Sequence, residues 1–73
     1  NARVQIYTCL LGKPHQITYR INNGHNLWLR CDRGELDLNG LRVAETNSAT
    51  VAGEKELVIT ALSDSDFLLL DLW

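Results

Sequence analysis

The sequence predicts an all-β domain, a small barrel or sandwich of about seven or eight short strands. Apolar residues recur at every second position in a series of short stretches, the alternation of a strand with one buried face. Clusters of Gly, Asn, Asp, Ser and Pro separate these stretches at intervals of about eight to ten residues. No gap is long enough for the crossover of about a dozen residues that a parallel α/β fold requires.

Three strands are expected in the first part of the chain. Residues 4–10 alternate and end at Gly12-Lys13-Pro14. Residues 16–21 follow and end at Asn22-Asn23-Gly24, residue types that tolerate positive φ in a tight turn. Residues 27–31 form the third strand and lead to a turn at Asp32-Arg33-Gly34.

A hairpin is expected next, because Asn39-Gly40 separates two short apolar stretches. This dipeptide favours a two-residue turn of type I′. The flanking strands are predicted at residues 35–38 and 41–43, with a polar loop at residues 45–48.

The end of the chain predicts a buried strand. After a short strand at residues 49–51 and a turn at Gly53-Glu54, residues 57–61 alternate again. Residues 63–65 form a turn, and residues 67–72 are an almost continuous apolar run. Such a run is typical of the interior of a sheet.

Composition narrows the class of protein. The 73 residues suffice for one domain, and the net charge of −2, with Lys and Arg scattered along the chain, disfavours nucleic-acid binding. No apolar run approaches the roughly 20 residues that cross a bilayer, so no membrane contact and a cytoplasmic location are expected. Cys9 and Cys31 are too few for a disulfide-rich scaffold and are expected to be buried thiols, with a disulfide as the alternative.

The chain contains no methionine, so residue 1 is not a natural start site. Asn1 and Ala2 are interpreted as the remnant of an expression tag, and residues 3–73 as one domain cut from a longer protein.

Few residues suggest catalysis. His15 and His25 are expected in exposed turns at opposite ends of one strand, on the order of 20 Å apart, where they cannot share a metal. The acidic pairs are expected to be solvated turn residues, and no histidine stands in a context that would complete a serine triad. These pairs are Glu54 with Glu56 and Asp64 with Asp66.

Aromatic and basic residues offer one candidate surface. Tyr19 and Trp28 are expected on neighbouring strands, with Arg20 and Arg30 close by, where they would line a small-molecule pocket or pack against another domain. Trp73, at the end of the chain, is interpreted in the same way.

From Arg3 onward the order of features resembles the C-terminal cupin half of pirin-like proteins, the bicupin family that includes bacterial quercetin 2,3-dioxygenases. The resemblance rests on three segments that together cover nearly the whole chain. They are residues 3–7 (RVQIY), residues 28–40 (WLRCDRGELDLNG) and residues 64–72 (DSDFLLLDL). It implies a cupin-like jelly-roll barrel, the double-stranded β-helix.

The resemblance also implies where a metal would bind in a metal-dependent cupin. With the last glycine of the first cupin motif on Gly34, the ligand glutamate falls on Leu27 and the two histidines fall within residues 20–23. With the second motif starting at Gly40, its histidine falls on Val51. None of these residues is a metal ligand of the required kind, so no catalytic, cofactor or metal residue is expected in this domain.

A noncatalytic C-terminal cupin domain is therefore the leading hypothesis, with a structural or association role beside a metal-binding N-terminal cupin of the same parent chain. The parent would be a metal-dependent dioxygenase, and the isolated domain a homo-oligomer. Two alternatives remain open. One is a small-molecule-binding or enzymatic module with a pocket inside the barrel formed by Tyr19, Trp28 and Arg30. The other is a different small barrel used for protein recognition.

Overall fold

A computed structural model describes residues 3–73 and contains eight strands and no helix in that range. The strands are β1 (Val4–Leu11), β2 (Gln16–Arg20), β3 (Asn26–Arg33), β4 (Glu35–Leu38), β5 (Leu41–Ala44), β6 (Ser48–Val51), β7 (Glu56–Ala61) and β8 (Ser65–Leu72). The interpretation of Asn1 and Ala2 as a tag remnant lies outside the described residues.

The strands form two antiparallel sheets of four. The β1 sheet has the order β1-β8-β3-β6, and the β2 sheet has the order β2-β7-β4-β5. Consecutive strands thus alternate between sheets except at the β4-β5 hairpin, the connectivity of a jelly roll. The predicted all-β, cupin-like jelly-roll class is confirmed, and a different kind of small barrel is ruled out.

The core lies between the two sheets and is built from alternate residues of each strand. In β7 and β8 every second side chain is buried. The buried apolar residues are Leu11, Ile21, Leu27, Leu29, Cys31, Leu36, Leu38, Val43, Leu57, Ile59, Ala61, Phe67 and Leu69. This set fixes which face of each strand points inward and which points to solvent.

Two local predictions are confirmed. Asn39 and Gly40 have φ of 50° and 92°, as a type I′ turn requires, and they join β4 to β5. Strand β8 pairs with β1 on one side and with β3 on the other, so the last strand is indeed interior.

Three expectations about placement were wrong. Strands β2 and β3 were expected to be neighbours. They belong to different sheets, because the connection between them passes from one sheet to the other. Asp66 lies in β8 and Glu56 in β7 rather than in turns, because both strands begin earlier than the apolar pattern indicates. Both carboxylates still reach solvent, and Asp66 binds Arg33 at 3.0 Å.

Both cysteines are free thiols. Cys9 of β1 and Cys31 of β3 pair with the same residue, Phe67 of β8, from opposite sides. Two strand spacings, roughly 9.6 Å, therefore separate their backbones, which exceeds the reach of a disulfide. Cys31 is fully buried as expected, whereas Cys9 is only partly buried. Burial raises the pKa of the Cys31 thiol, which favours its inert neutral form.

Candidate functional site

A buried carboxylate is the centre of a polar cluster at one end of the barrel. The alternation of β8 places Asp71 on the same inward face as Phe67 and Leu69, and its side chain is only 5% exposed. The Tyr19 hydroxyl donates to Oδ2 of Asp71 at 2.5 Å, and Nδ1 of His25 lies 2.7 Å from its Oδ1. Each carboxylate oxygen therefore has a donor, as a buried charge requires.

Two aromatic rings cover this cluster. The Trp73 ring stacks on the His25 ring at a centroid distance of 4.5 Å and an interplanar angle of 8°. The Tyr7 ring meets the Tyr19 ring edge to face at 5.5 Å, and their hydroxyls are 3.4 Å apart. The two rings therefore pack against the two side chains that contact Asp71.

The electrostatics of the cluster favour a structural role. Burial, together with the hydrogen bond to Asp71, raises the pKa of Tyr19 well above its usual range. The phenol therefore stays protonated and keeps donating to the carboxylate at physiological pH. Tyr19 belongs to the β2 sheet and Asp71 to the β1 sheet, so this bond ties the two sheets together.

The expectation of two exposed turn histidines holds for His15 and was wrong for His25. His15 is exposed and its Nδ1 lies 2.9 Å from the carbonyl oxygen of Gly12. The His25 side chain is only 14% exposed, because its ring contacts Asp71 at 2.7 Å and is covered by the stacked Trp73 ring. The two histidines thus lie beyond opposite ends of β2 and do not contact each other.

The cupin motif positions carry side chains that do not fit a metal. Leu27 of β3 and Val51 of β6, the aligned glutamate and histidine positions, are direct cross-strand partners. Leu27 is fully buried and Val51 packs against the core, so apolar side chains fill the place where ligands would be needed. Within residues 3–73 no group of three or more His, Cys, Asp or Glu side chains could hold a metal ion.

The predicted surface residues do not converge. Tyr19 lies inside the barrel, and Trp73 lies at the same end. Trp28 and Arg30 lie on the outward face of β3, where the Arg30 guanidinium is 6.0 Å from the Trp28 ring centroid. Tyr19 and Trp28 are thus on opposite sides of the β1 sheet, which excludes one pocket shared by the two.

An apolar outward face on the β1 sheet is the second candidate site. Direct pairing brings Ile6, Leu70 and Trp28 into one row and Val4 and Leu72 into the next. We call this surface the apolar face; its members are Val4, Ile6, Leu10, Trp28, Leu68, Leu70 and Leu72. Ile6 is 58% exposed and Leu10 is 78% exposed.

The outward face of the β2 sheet is polar by contrast. Its cross-strand pairs include Thr18 with Val58, and Arg20 with Glu56. Across the β4-β5 hairpin, Arg42 binds Glu35 at 2.6 Å. We call this surface the polar face; it comprises Gln16, Thr18, Arg20, Glu35, Asp37, Arg42, Glu56, Val58 and Thr60.

A small cleft lies between the open edges of the two sheets on the β5-β6 side. Its volume is about 230 Å³, and its lining is largely apolar, with Leu38, Leu41, Val51 and Leu57 among the side chains. None of the predicted residues Tyr19, Trp28, Arg30 and Trp73 contributes to it.

The pattern of the chain is that of a known domain. A family model described as the quercetinase C-terminal cupin domain matches residues 1–72. The chain belongs to this family. The resemblance inferred from the three sequence segments is thereby confirmed.

Known relatives are similar but much longer. The chain is 28% identical over 69 residues to the quercetin 2,3-dioxygenases of Escherichia coli K12 and of Escherichia coli O157:H7, covering 94% of this chain and 30% of each relative. The crystal structure of YhhW from Escherichia coli superposes with a TM-score of 0.91 at 26% identity, covering 93% of this chain and 29% of that one. A second structure, described as bacterial pirin YhhW in complex with nickel(II), gives the same TM-score and identity.

Sequence reasoning missed Asp71, His25 and the apolar face. Asp71 was recognisable in principle, because it shares the period-two face of Phe67 and Leu69 within an apolar run. Nothing local identifies His25 as its partner, since 46 residues separate the two.

No helix long and apolar enough to cross a membrane occurs in residues 3–73.

Proposed function

We propose that this domain is a noncatalytic C-terminal cupin with a structural or association role, placed beside a metal-binding N-terminal cupin in a longer cytoplasmic parent protein. The observation that carries the proposal is the pairing of Leu27 with Val51 at the aligned ligand positions. An aliphatic pair inside a core offers no lone pair to a metal, and inserting one would require the core to open.

The use of the remaining polar side chains supports the same conclusion. Asp71, His25 and Tyr19 are committed to one another, and no buried side-chain nitrogen or oxygen in residues 3–73 lacks a hydrogen-bond partner. The raised pKa of Tyr19 alone does not make the cluster catalytic, because a catalytic group also needs an open approach for substrate. Here the Asp71 side chain is only 5% exposed, which leaves substrate no open approach to it.

The length of the relatives supports the longer parent. The chain spans about 30% of the length of the curated relatives that it matches, and the family is described as C-terminal. Any dioxygenase chemistry of such a parent would reside in its other part.

Metal analysis tests this proposal. The full-length parent and the 73-residue chain are each equilibrated with nickel(II) and iron(II), desalted, and measured by elemental analysis. We expect about one metal per full-length chain and a trace in the domain alone. A stoichiometric metal on the 73-residue chain would overturn the proposal.

A small-molecule site in the β5-β6 cleft is the second candidate, favoured by its apolar lining. Its volume of about 230 Å³ is below the roughly 300 to 1,000 Å³ of ordinary ligand pockets. We therefore expect no thermal shift in a screen of flavonoids and common metabolites. A saturable shift that the substitution Leu41→Asp abolishes would establish this second function instead.

A further inference from the structure

We propose that the apolar face of the β1 sheet is the surface on which the preceding cupin domain of the parent chain docks. This inference rests on the proposed function, because it names the surface through which the structural role is exerted. The occupant is the part of the parent that lies before this domain.

The apolar face exposes side chains of the kind that belongs in a core. Ile6, Val4 and Leu10 of the edge strand β1 are 58%, 50% and 78% exposed. Leu68, Leu70 and Trp28 on the inner strands are half-buried. From Val4 to Leu10 and across β1, β8 and β3 the outward area measures on the order of 300 Å², from strand rise and spacing, and Thr8, Arg30 and Asp66 interrupt its apolar side chains toward the Leu10 end. The largest apolar patch on a soluble monomer is typically about 300 to 600 Å² and is often functional.

Charge is distributed unevenly around the patch. Val4, Ile6, Leu70, Leu72 and Trp28 form its uncharged half. At the other end of the same sheet the charges occur in pairs that neutralise one another, Arg30 with Asp32 and Arg33 with Asp66. An apolar centre bordered by paired charges on one side is the composition of a protein interface.

The choice of occupant rests on the length of the relatives and on the position of Arg3. The relatives are about three times as long as this chain, judged from the 30% coverage, and the family description places the domain at the C-terminal end. Arg3 pairs with Trp73 directly beside Val4, so a chain that enters before residue 3 arrives at the edge of the apolar face. A preceding domain is therefore tethered next to this surface at a high effective concentration.

The polar face, the other large surface of the domain, is unsuited to this role. The polar face carries Arg20, Glu35, Asp37, Arg42 and Glu56, whose charges would lose water on docking. Desolvating exposed charges opposes association unless each finds a partner.

Hydroxyl-radical footprinting tests the inference without any substitution. Ile6 and Leu41 are matched probes, because both are aliphatic and their exposures are 58% and 60%. In the 73-residue chain, diluted until monomeric, the two should be oxidised at similar rates. In the full-length parent we expect Ile6 to be oxidised about fivefold more slowly than Leu41, since an interface core excludes water.

Each other outcome overturns the inference. Equal oxidation of Ile6 and Leu41 in the parent would show that the preceding domain leaves the apolar face open. Protection of Ile6 only in a concentrated sample of the 73-residue chain would identify a second copy as the occupant. Metal analysis on the same samples separates these results from a failure of the proposed function, because the metal content does not depend on which face is covered.

Discussion

The two sheets of this domain bury the same kind of side chain between them and present opposite kinds to their surroundings. Outward residues of β1 and β8 are largely aliphatic, with Trp28 of β3 beside them, whereas those of β2, β7 and β4 are largely hydroxyl-bearing or charged. A sheet of a free-standing sandwich alternates apolar inside with polar outside. The β2 sheet follows that rule, whereas β1 and β8 of the β1 sheet depart from it, in keeping with the docking surface proposed on the β1 sheet.

The largest expected effect on stability comes from truncating a core residue of β8. Truncating its neighbour on the apolar face should have a much smaller effect. Leu69 is 3% exposed, and truncation by Leu69→Ala should cost about 2 to 5 kcal/mol of unfolding free energy in the isolated chain, because it leaves a cavity between the sheets. Leu70→Ala, one position along and outward, should cost about 1 kcal/mol or less. Urea unfolding measures both. Equal losses would mean that the assignment of inner and outer faces is wrong.

Removing the hydrogen bond between the two sheets, from Tyr19 to Asp71, should cause the next largest loss of unfolding free energy. Tyr19→Phe removes one of the two side-chain donors to buried Asp71 and should cost about 1 to 3 kcal/mol at pH 7. Tyr7→Phe is the control, since its hydroxyl lies 3.4 Å from that of Tyr19 on an exposed side chain.

The same pair of variants gives a pH dependence. The pKa of Tyr19 is raised in the folded state, so its contribution is complete below its unfolded pKa of about 10 and is lost as pH rises toward the folded value. The advantage of the unsubstituted protein over Tyr19→Phe should thus be constant from pH 7 to 9 and decline above about pH 10. Urea midpoints across this range measure it, and an advantage that grows with alkalinity would contradict the assigned donor.

Self-association of the isolated chain should depend on one face only. With its apolar face uncovered, the 73-residue chain is predicted to form a homodimer or larger assembly. Ile6→Lys should raise the dissociation constant at least about tenfold, near 1.4 kcal/mol, and Thr18→Lys should leave it unchanged. Light scattering over a concentration series measures the dissociation constant of each variant. A strict monomer at high concentration would contradict this prediction.

The ion pairs of the polar face should contribute least to the free energy of unfolding. Arg42 binds Glu35 while its own side chain is 69% exposed, and such pairs contribute about 0.5 kcal/mol or less. Arg42→Ala should therefore change the urea midpoint by a barely measurable amount. A loss comparable to that of Leu69→Ala would show that the polar face is itself packed against something.

The strands were predictable because their signals are local. The alternation within residues 16–20 and the turn at Asn39-Gly40 need no information from elsewhere in the chain. The sequence of one strand does not determine which of its two faces is buried, because that depends on where the opposing sheet packs. In β1 the aliphatic residues Val4, Ile6 and Leu10 point outward, while Tyr7 and Cys9 point in.

The candidate site was predictable only where the resemblance supplied an alignment. It placed ligand positions on Leu27 and Val51, and the register of β3 and β6 brings these two residues together. The cluster of Asp71 with His25 and Tyr19 depends on contacts across 46 and 52 residues, which no local pattern encodes. Trp28 and Tyr19 failed to meet because the connection from β2 to β3 changes sheets.

Thermal unfolding of four proteins tests the contrast between the faces most directly. Ile6 and Thr18 are each the third residue and point outward on the edge strands β1 and β2, where they pair with Leu70 and Val58. Ile6→Lys and Thr18→Lys are each compared in the 73-residue chain and in the full-length parent. We predict that Ile6→Lys lowers the unfolding midpoint of the parent by about 3 to 8 °C, because a lysine would be buried at the interface, and that Thr18→Lys leaves it unchanged. Equal shifts for the two substitutions in the parent would contradict the assignment of the apolar face as the docking surface.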